Sequence, residues 1–168
     1  MGRIELTTRI LAPPERCFDL SRSVDVHVAS TSRSGERAVA GVTSGMLGLG
    51  DEVTWRARHL GVWQTLTSRI TRFDRPRNFR DSMVDGAFAR FDHDHIFDPD
   101  PTDPGACLMR DVFDFASPLG PLGRLVDRVF LDRYMRAFLA ERNDVIRAVA
   151  ECDRWRTYLP DTAAEPHG

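Results

Sequence analysis

The chain contains no lysine: all 23 basic residues are arginine, and 25 acidic residues outnumber them for a formal charge of −2. Nucleic acids are held mainly by an excess of cationic side chains, so this balance argues against a nucleic-acid partner. Cysteine is also scarce. Cys17, Cys107 and Cys152 form an odd, widely spaced set without a CxxC pair. That pattern argues against a disulfide framework or a thiolate zinc site and fits the reduced thiols of a cytoplasmic protein. No apolar run approaches the roughly 20 residues that a membrane helix needs, so membrane insertion is not expected. The opening stretch carries Arg3, Glu5 and Arg9, lacks an apolar signal core, and has Leu6 where a myristoylation signal requires Ser or Thr. No export signal or lipid anchor is therefore expected.

What remains is an ordinary globular composition, 42% hydrophobic and 29% charged over 168 residues, which suits one domain able to bury its own core. Alternation from Arg3 to Leu11 reads as a half-buried strand ended by Pro13-Pro14, and Pro14 to Arg22 as a short helix with proline in its first turn. Val24 to Ala29 reads as a second helix, Ser30 to Gly35 as a loop and Glu36 to Val42 as a strand. After the glycine-bearing stretch Gly45 to Gly50 come five strands: Asp51 to His59, Val62 to Phe73, Asn78 to Gly86, Ala89 to Phe97 and Cys107 to Ala116. Between the last two, Asp98 to Gly105 is so rich in Pro and Asp that it reads as a hairpin loop with no ladder of its own. Beyond Ser117 to Gly123 the apolar period lengthens to nearly four, giving one long helix from about Leu122 to Cys152. The domain is expected to span 1–155, with 156–168 a disordered tail.

These elements make an α+β chain, a curved antiparallel sheet covered by the terminal helix, with two short helices after the first strand. In that order the chain resembles the START and polyketide cyclase/dehydrase-like superfamily (SRPBCC), and within it a bacterial ligand-binding or cyclase/dehydrase-like subgroup. The residues that carry the resemblance are the strand start Gly50-Asp51-Glu52-Val53-Thr54-Trp55, then Pro76 and Phe79-Arg80-Asp81. Further along come Phe91-Asp92-His93-Asp94-His95-Ile96-Phe97, Asp111 and Pro118-Leu119-Gly120. The resemblance covers about Arg3 to Glu151. It implies the helix-grip fold, with a cavity between the sheet and the terminal helix and the glycine stretch at the cavity mouth. It also implies a small hydrophobic or amphipathic ligand that is lipid-, polyketide- or aromatic-like, and no cofactor. Monomer and homodimer are both left open.

Strand alternation places Phe91, His93, His95 and Phe97 on one face, and Met109, Asp111, Phe113 and Phe115 on one face of the next strand. If Phe97 pairs near Cys107, His93 falls opposite Asp111; a two-residue shift puts His95 there instead. Either register pairs a histidine with a carboxylate. Such a pair can fix strand register as a satisfied polar network, orient a bound ligand, or move protons in cyclase or dehydratase chemistry, with His93, His95 and Asp111 as the candidate catalytic residues.

His93, His95 and Asp111 also match the residue types of a two-histidine, one-carboxylate metal site, with the histidines about 6.6 Å apart along the strand. His-x-His alone is a weak signal, and no metal is expected. Asp81 is a further polar contact if it faces inward, sharing its side with Phe79 and Met83 but also with Asp85. The expected ligand-binding residues are Trp55, Trp63, Asp81, Met83, Phe91, Phe97, Phe113, Tyr134, Phe138 and Arg142. The last three recur every four residues on the long helix and offer an apolar wall ending in a cation. Gly45, Gly48 and Gly50 have the wrong spacing for a nucleotide loop. Arg69, Arg72, Arg75, Arg77 and Arg80 read as a solvated face.

The expectation is a small-molecule binding module. The alternatives are a cyclase/dehydratase-like enzyme using the His-Asp pair, or a cochaperone-like protein-interaction module.

Overall fold

The computed structural model describes residues 2–31, 34–59, 61–116 and 131–159. The chain runs β1 (Gly2–Ile10), α1 (Pro14–Ser21), α2 (Val24–Ser30), β2 (Arg37–Gly41), β3 (Glu52–His59), β4 (Val62–Asp74), β5 (Asn78–Gly86), β6 (Arg90–Asp100), β7 (Asp103–Ala116), α3 (Asp132–Ala150) and α4 (Trp155–Tyr158). Seven strands form one antiparallel sheet in the order β1-β7-β6-β5-β4-β3-β2. A meander from β2 to β7 is thus completed by the first strand, which pairs with the last. Register shifts within β2–β3 and twice within β4–β5 add residues on one strand only, and each such bulge bends the sheet. Helix α3 packs against β1, α1 and α2 on the concave side. This is the expected α+β helix-grip arrangement.

Local chemistry explains the short helices. Pro14 takes the first helical position of α1, where a missing N–H costs nothing. The Ser23 hydroxyl caps α2 by accepting from the Val26 N–H at 3.3 Å. Two apolar clusters form under the sheet. One centres on Phe18, whose ring meets Phe73, Phe79 and Phe97 edge-on at 5.3 to 5.4 Å. The other holds Ile4, Phe91, Phe113, Phe115, Met135 and Leu139.

The hairpin reading of Asp98 to Gly105 is corrected. Strand β6 runs on to Asp100 and β7 begins at Asp103, so only Pro101 and Thr102 make the turn. Proline is tolerated because β5 pairs with β6 no further than Ile96, and Pro99 stands beside a register shift where a missing donor breaks no regular ladder. Asp100 replaces the lost backbone bonds, accepting from the Thr102 N–H at 2.8 Å and its hydroxyl at 2.7 Å.

Of the long helix, Asp132–Ala150 is described; its expected beginning at Leu122 and the Pro118-Leu119-Gly120 segment lie outside the described residues. The expected tail begins instead with the single-turn α4, whose Trp155 and Tyr158 pack on the Phe18 cluster. Residues 160–168 also lie outside the described residues. Among the described residues, no helix is long and apolar enough to cross a membrane.

The outer face of the sheet is a charge lattice. Arg80 grips Asp94, Arg72 reaches the same carboxylate at 3.5 Å, and Arg69 pairs with Glu52. Arg75 pairs with Asp19 and Arg77 with Asp74. Each arginine of the basic stretch thus has a carboxylate partner.

Candidate functional site

The inner face of β6 alternates Phe91, His93, His95 and Phe97, all buried. Phe91 belongs to one apolar cluster and Phe97 to the other, so the two histidines stand where the clusters meet. Register supplies their neighbours. On one side β7 places Asp111 opposite His95 and Phe113 opposite His93, so the shifted pairing is the one formed and Phe97 faces Met109. On the other side β5 places Asp81 opposite His93 and Phe79 opposite His95.

Side chains then cross the register diagonally. His93 Nε2 donates to Asp111 Oδ1 at 2.9 Å, and His95 Nε2 donates to Asp81 Oδ1 at 3.0 Å. His95 Nδ1 lies 3.1 Å from Asp111 Oδ1 but out of line for a hydrogen bond, which leaves it a buried donor without an aligned acceptor. His93 Nδ1 faces Asp81 Oδ1 at 3.9 Å. The two imidazole rings are 3.8 Å apart, with Phe79 stacked on His95 at 4.3 Å and Phe113 edge-on to His93 at 5.3 Å.

Helix α3 locks this cluster from above. Asn143 donates to the second Asp111 oxygen at 2.7 Å, and Arg142 brings its Nη1 to 3.6 Å from the first. Arg142 is itself held by the Asn143 side-chain oxygen at 3.2 Å and the Ser21 carbonyl at 3.3 Å.

Burial is the largest influence on every titrating member, and it disfavours each charged form. Asp111 resists it: the hydrogen bond from His93, the close approach of His95 and the charge of both hold its carboxyl well below the usual range. Asp81 also ends below its ordinary value, because the His95 hydrogen bond and the charges of His93, His95 and Arg142 outweigh burial. The histidines diverge. Burial and the neighbouring His95 pull His93 down against the two carboxylates. Burial pulls on His95 as well, but its contacts with Asp111 and Asp81 prevail and raise it. Two carboxylates and the Arg142 guanidinium thus surround a histidine pair of which His95 holds its proton more tightly than His93. With its Nε2 proton committed to Asp111, His93 presents Nδ1 as an acceptor.

A cavity of about 150 Å³ opens in front of this cluster, between the sheet and α3. Trp55, Asp81, Phe91, His93, His95, Phe113, Tyr134, Phe138 and Arg142 all border it, as does Leu47 from the glycine-bearing stretch. Asp111 does not reach the cavity: it is wholly buried behind the histidines and touches only their far side. Three expected wall residues lie elsewhere. Trp63 is 56% exposed on the outer face with the Arg56 guanidinium 5.1 Å over its ring. Phe97 is sealed under Phe18, and Met83 packs on the second apolar cluster without bordering the cavity.

The sequence reading missed Asn143 and Ser21, and it missed His27 and Glu36 at the cavity wall, where the His27 ring lies tilted against Trp55 at 4.1 Å and sits 3.3 Å from Glu36. Asn143 directly follows the singled-out Arg142, and that adjacency was the one available signal. His27 and Glu36 belong to no pattern.

No family model matches the sequence, and no curated protein is found similar to it. Solved structures do match. A protein of Thermus thermophilus superposes with a TM-score of 0.68 at 15% identity, over 89% of this chain and 99% of that one. A START superfamily protein from Mycobacterium smegmatis gives 0.66 at 10% identity, over 89% and 97%. Ginseng major latex-like protein 151 from Panax ginseng gives 0.59 at 17% identity, again over 89% and 97%. The fold is that of START-like proteins, as the sequence resemblance implied.

Proposed function

We propose that this START-like chain is a cytoplasmic binding module for a small amphipathic molecule, held in the cavity between the sheet and α3. One observation carries the reading: the cavity is mostly apolar, and ionisable groups cluster on one wall of it at Asp81, His93 and His95. Ligand sites combine an apolar container with a few convergent polar groups in this way. The container sets the size. About 150 Å³ matches cavities that take a single aromatic ring, so the apolar part of the ligand is a ring or a short branched chain. Its polar end is a hydroxyl that meets Nδ1 of His93.

The test compares 4-alkylphenols with the matching alkylbenzenes by calorimetry. Saturable 1:1 binding is expected, with the hydroxyl adding roughly tenfold in affinity in wild type and nothing in His93→Gln. Absence of saturable binding by either series would overturn the reading. Native mass spectrometry of freshly purified protein identifies the resident compound as a mass lost on unfolding.

The hydrogen bond of His93 to Asp111 at the cavity wall also suits a cyclase- or dehydratase-like proton transfer, with Asp111 as the positioning residue. In that case His93→Gln abolishes turnover of a bound compound while leaving its affinity within a few fold.

A further inference from the structure

The arrangement of the two histidines between two carboxylates goes beyond what a ligand anchor needs. Each imidazole has one nitrogen on the Asp111 side and the other on the Asp81 side. On the inner side, His93 Nε2 and His95 Nδ1 converge on one oxygen of Asp111, at 2.9 and 3.1 Å. On the outer side, His93 Nδ1 and His95 Nε2 converge on one oxygen of Asp81, at 3.9 and 3.0 Å. Ligand atoms of Asp81, His93 and His95 lie within 4.8 Å of one another.

We propose that Asp81, His93 and His95 form a mononuclear site for a divalent first-row transition ion, with Asp111 as the outer carboxylate that orients both imidazoles. Metal-binding histidines characteristically give their second N–H to a carboxylate, which fixes tautomer and ring angle. Here one buried carboxylate serves both, and it is itself fixed by Asn143 and Arg142.

Three further observations support the site. First, the set of two histidines and one carboxylate suits Zn²⁺ or Fe²⁺, and three protein ligands leave a coordination position open, as in sites that bind a small molecule at the metal. That position faces the cavity, because Asp81, His93 and His95 border it and Asp111 does not. Second, His95 Nδ1 is buried 3.1 Å from Asp111 without an aligned hydrogen bond, a contact that reorientation of the ring on an ion would complete. Third, two carboxylates, Asp81 and Asp111, flank the imidazoles while Arg142 is the one guanidinium brought against them, so a dication is welcome.

The dimensions fit with modest movement. Ligands about 2.1 Å from a common ion stand roughly 3 to 3.4 Å apart. The His95–Asp81 edge is already 3.0 Å, and closing the others takes about an ångström of side-chain rotation.

The proposed ligand set differs from the His93, His95 and Asp111 set that the sequence offers in its carboxylate, Asp81 in place of Asp111. The site stands or falls separately from ligand binding, because it is tested with the metal alone. Chelator-treated protein is titrated with Co²⁺ followed by its visible absorption, and with Zn²⁺ by calorimetry. One ion per chain is expected, with a low-coordinate Co²⁺ spectrum. Affinity should fall by at least tenfold in Asp81→Asn and in Asp111→Asn, each checked for unchanged circular dichroism.

Long-range ¹H–¹⁵N spectra of unsubstituted protein keep the proposal testable if a variant fails to fold. Zn²⁺ should shift His93 Nδ1 and His95 Nε2 and leave the Asp111-facing nitrogens protonated. No saturable binding, binding untouched by Asp81→Asn, or unshifted His93 and His95 signals would each overturn the site.

Discussion

Asp19, nearly buried at the end of α1, is claimed by two arginines from different parts of the chain: Arg22 at 2.8 Å, and Arg75 through both its oxygens at 3.1 and 2.6 Å. Burial raises its carboxyl, but the two guanidiniums outweigh burial and bring it below its ordinary value. A folded-state value below the unfolded one, near 3.9, stabilises the protein fully above that pH and progressively less as pH falls through the folded value. Asp19→Asn should therefore unfold at lower urea than wild type at pH 7, and the gap between them should narrow below about pH 4. A gap equally wide at pH 7 and pH 3 would sink this linkage.

Arg75 as the partner of Asp19 has no signature in the sequence, where it reads as one member of a solvated run. The histidine face did. Alternation alone puts His93 and His95 with Phe91 and Phe97, because side chains of a strand leave by opposite faces whatever the strand pairs with. Which nitrogen meets which carboxylate was not legible. A shift of two residues keeps the parity and changes every partner, and Asn143 arrives from a helix whose tilt no strand pattern records.

At the scale of elements, strand positions followed from period-two patterning bounded by Gly, Pro and Asp, while the β6–β7 connection did not. Three prolines within Asp98 to Gly105 argued for a loop, yet a proline is silent where no neighbour needs its N–H, and that depends on where β5 stops. The two-residue turn rests on Asp100, whose carboxyl is lowered to about 2 by the Thr102 hydroxyl and N–H and by Arg9 of β1. Arg9 also reaches Asp103 at 3.2 Å, which ties the hairpin tip to the edge strand. Asp100→Ala should thus loosen the tip alone. In hydrogen exchange the Thr102 and Gly105 amides should exchange faster, while those of Asp111 and Phe113 keep their wild-type rates. Uniform acceleration along β7 would instead mean that the hairpin and the site unfold as one unit.

For the whole molecule, closure of β1 onto β7 makes a concave sheet that α3 covers without filling, and the space left over is the cavity. The general plan was readable because a sheet with one apolar face and one long amphipathic helix has few ways to bury both. The cavity walls were less so, since Trp55 and Trp63 are alike in sequence context but lie on opposite faces of the sheet, one buried against His27 and the other exposed under Arg56. That contrast gives the binding proposal an internal reporter. An aromatic ligand entering the cavity displaces water beside Trp55 and leaves Trp63 untouched, while the third indole, Trp155, sits between Arg16 and Arg156 at the far end of the chain. Titration with 4-ethylphenol, with excitation at the red edge of indole absorption, should change the emission of wild type, Trp63→Phe and Trp155→Phe alike. The change should vanish in Trp55→Phe. A response that survives in Trp55→Phe and disappears in Trp63→Phe would put the binding surface on the outer face of the sheet, and the space beneath α3 would then be packing left unfilled.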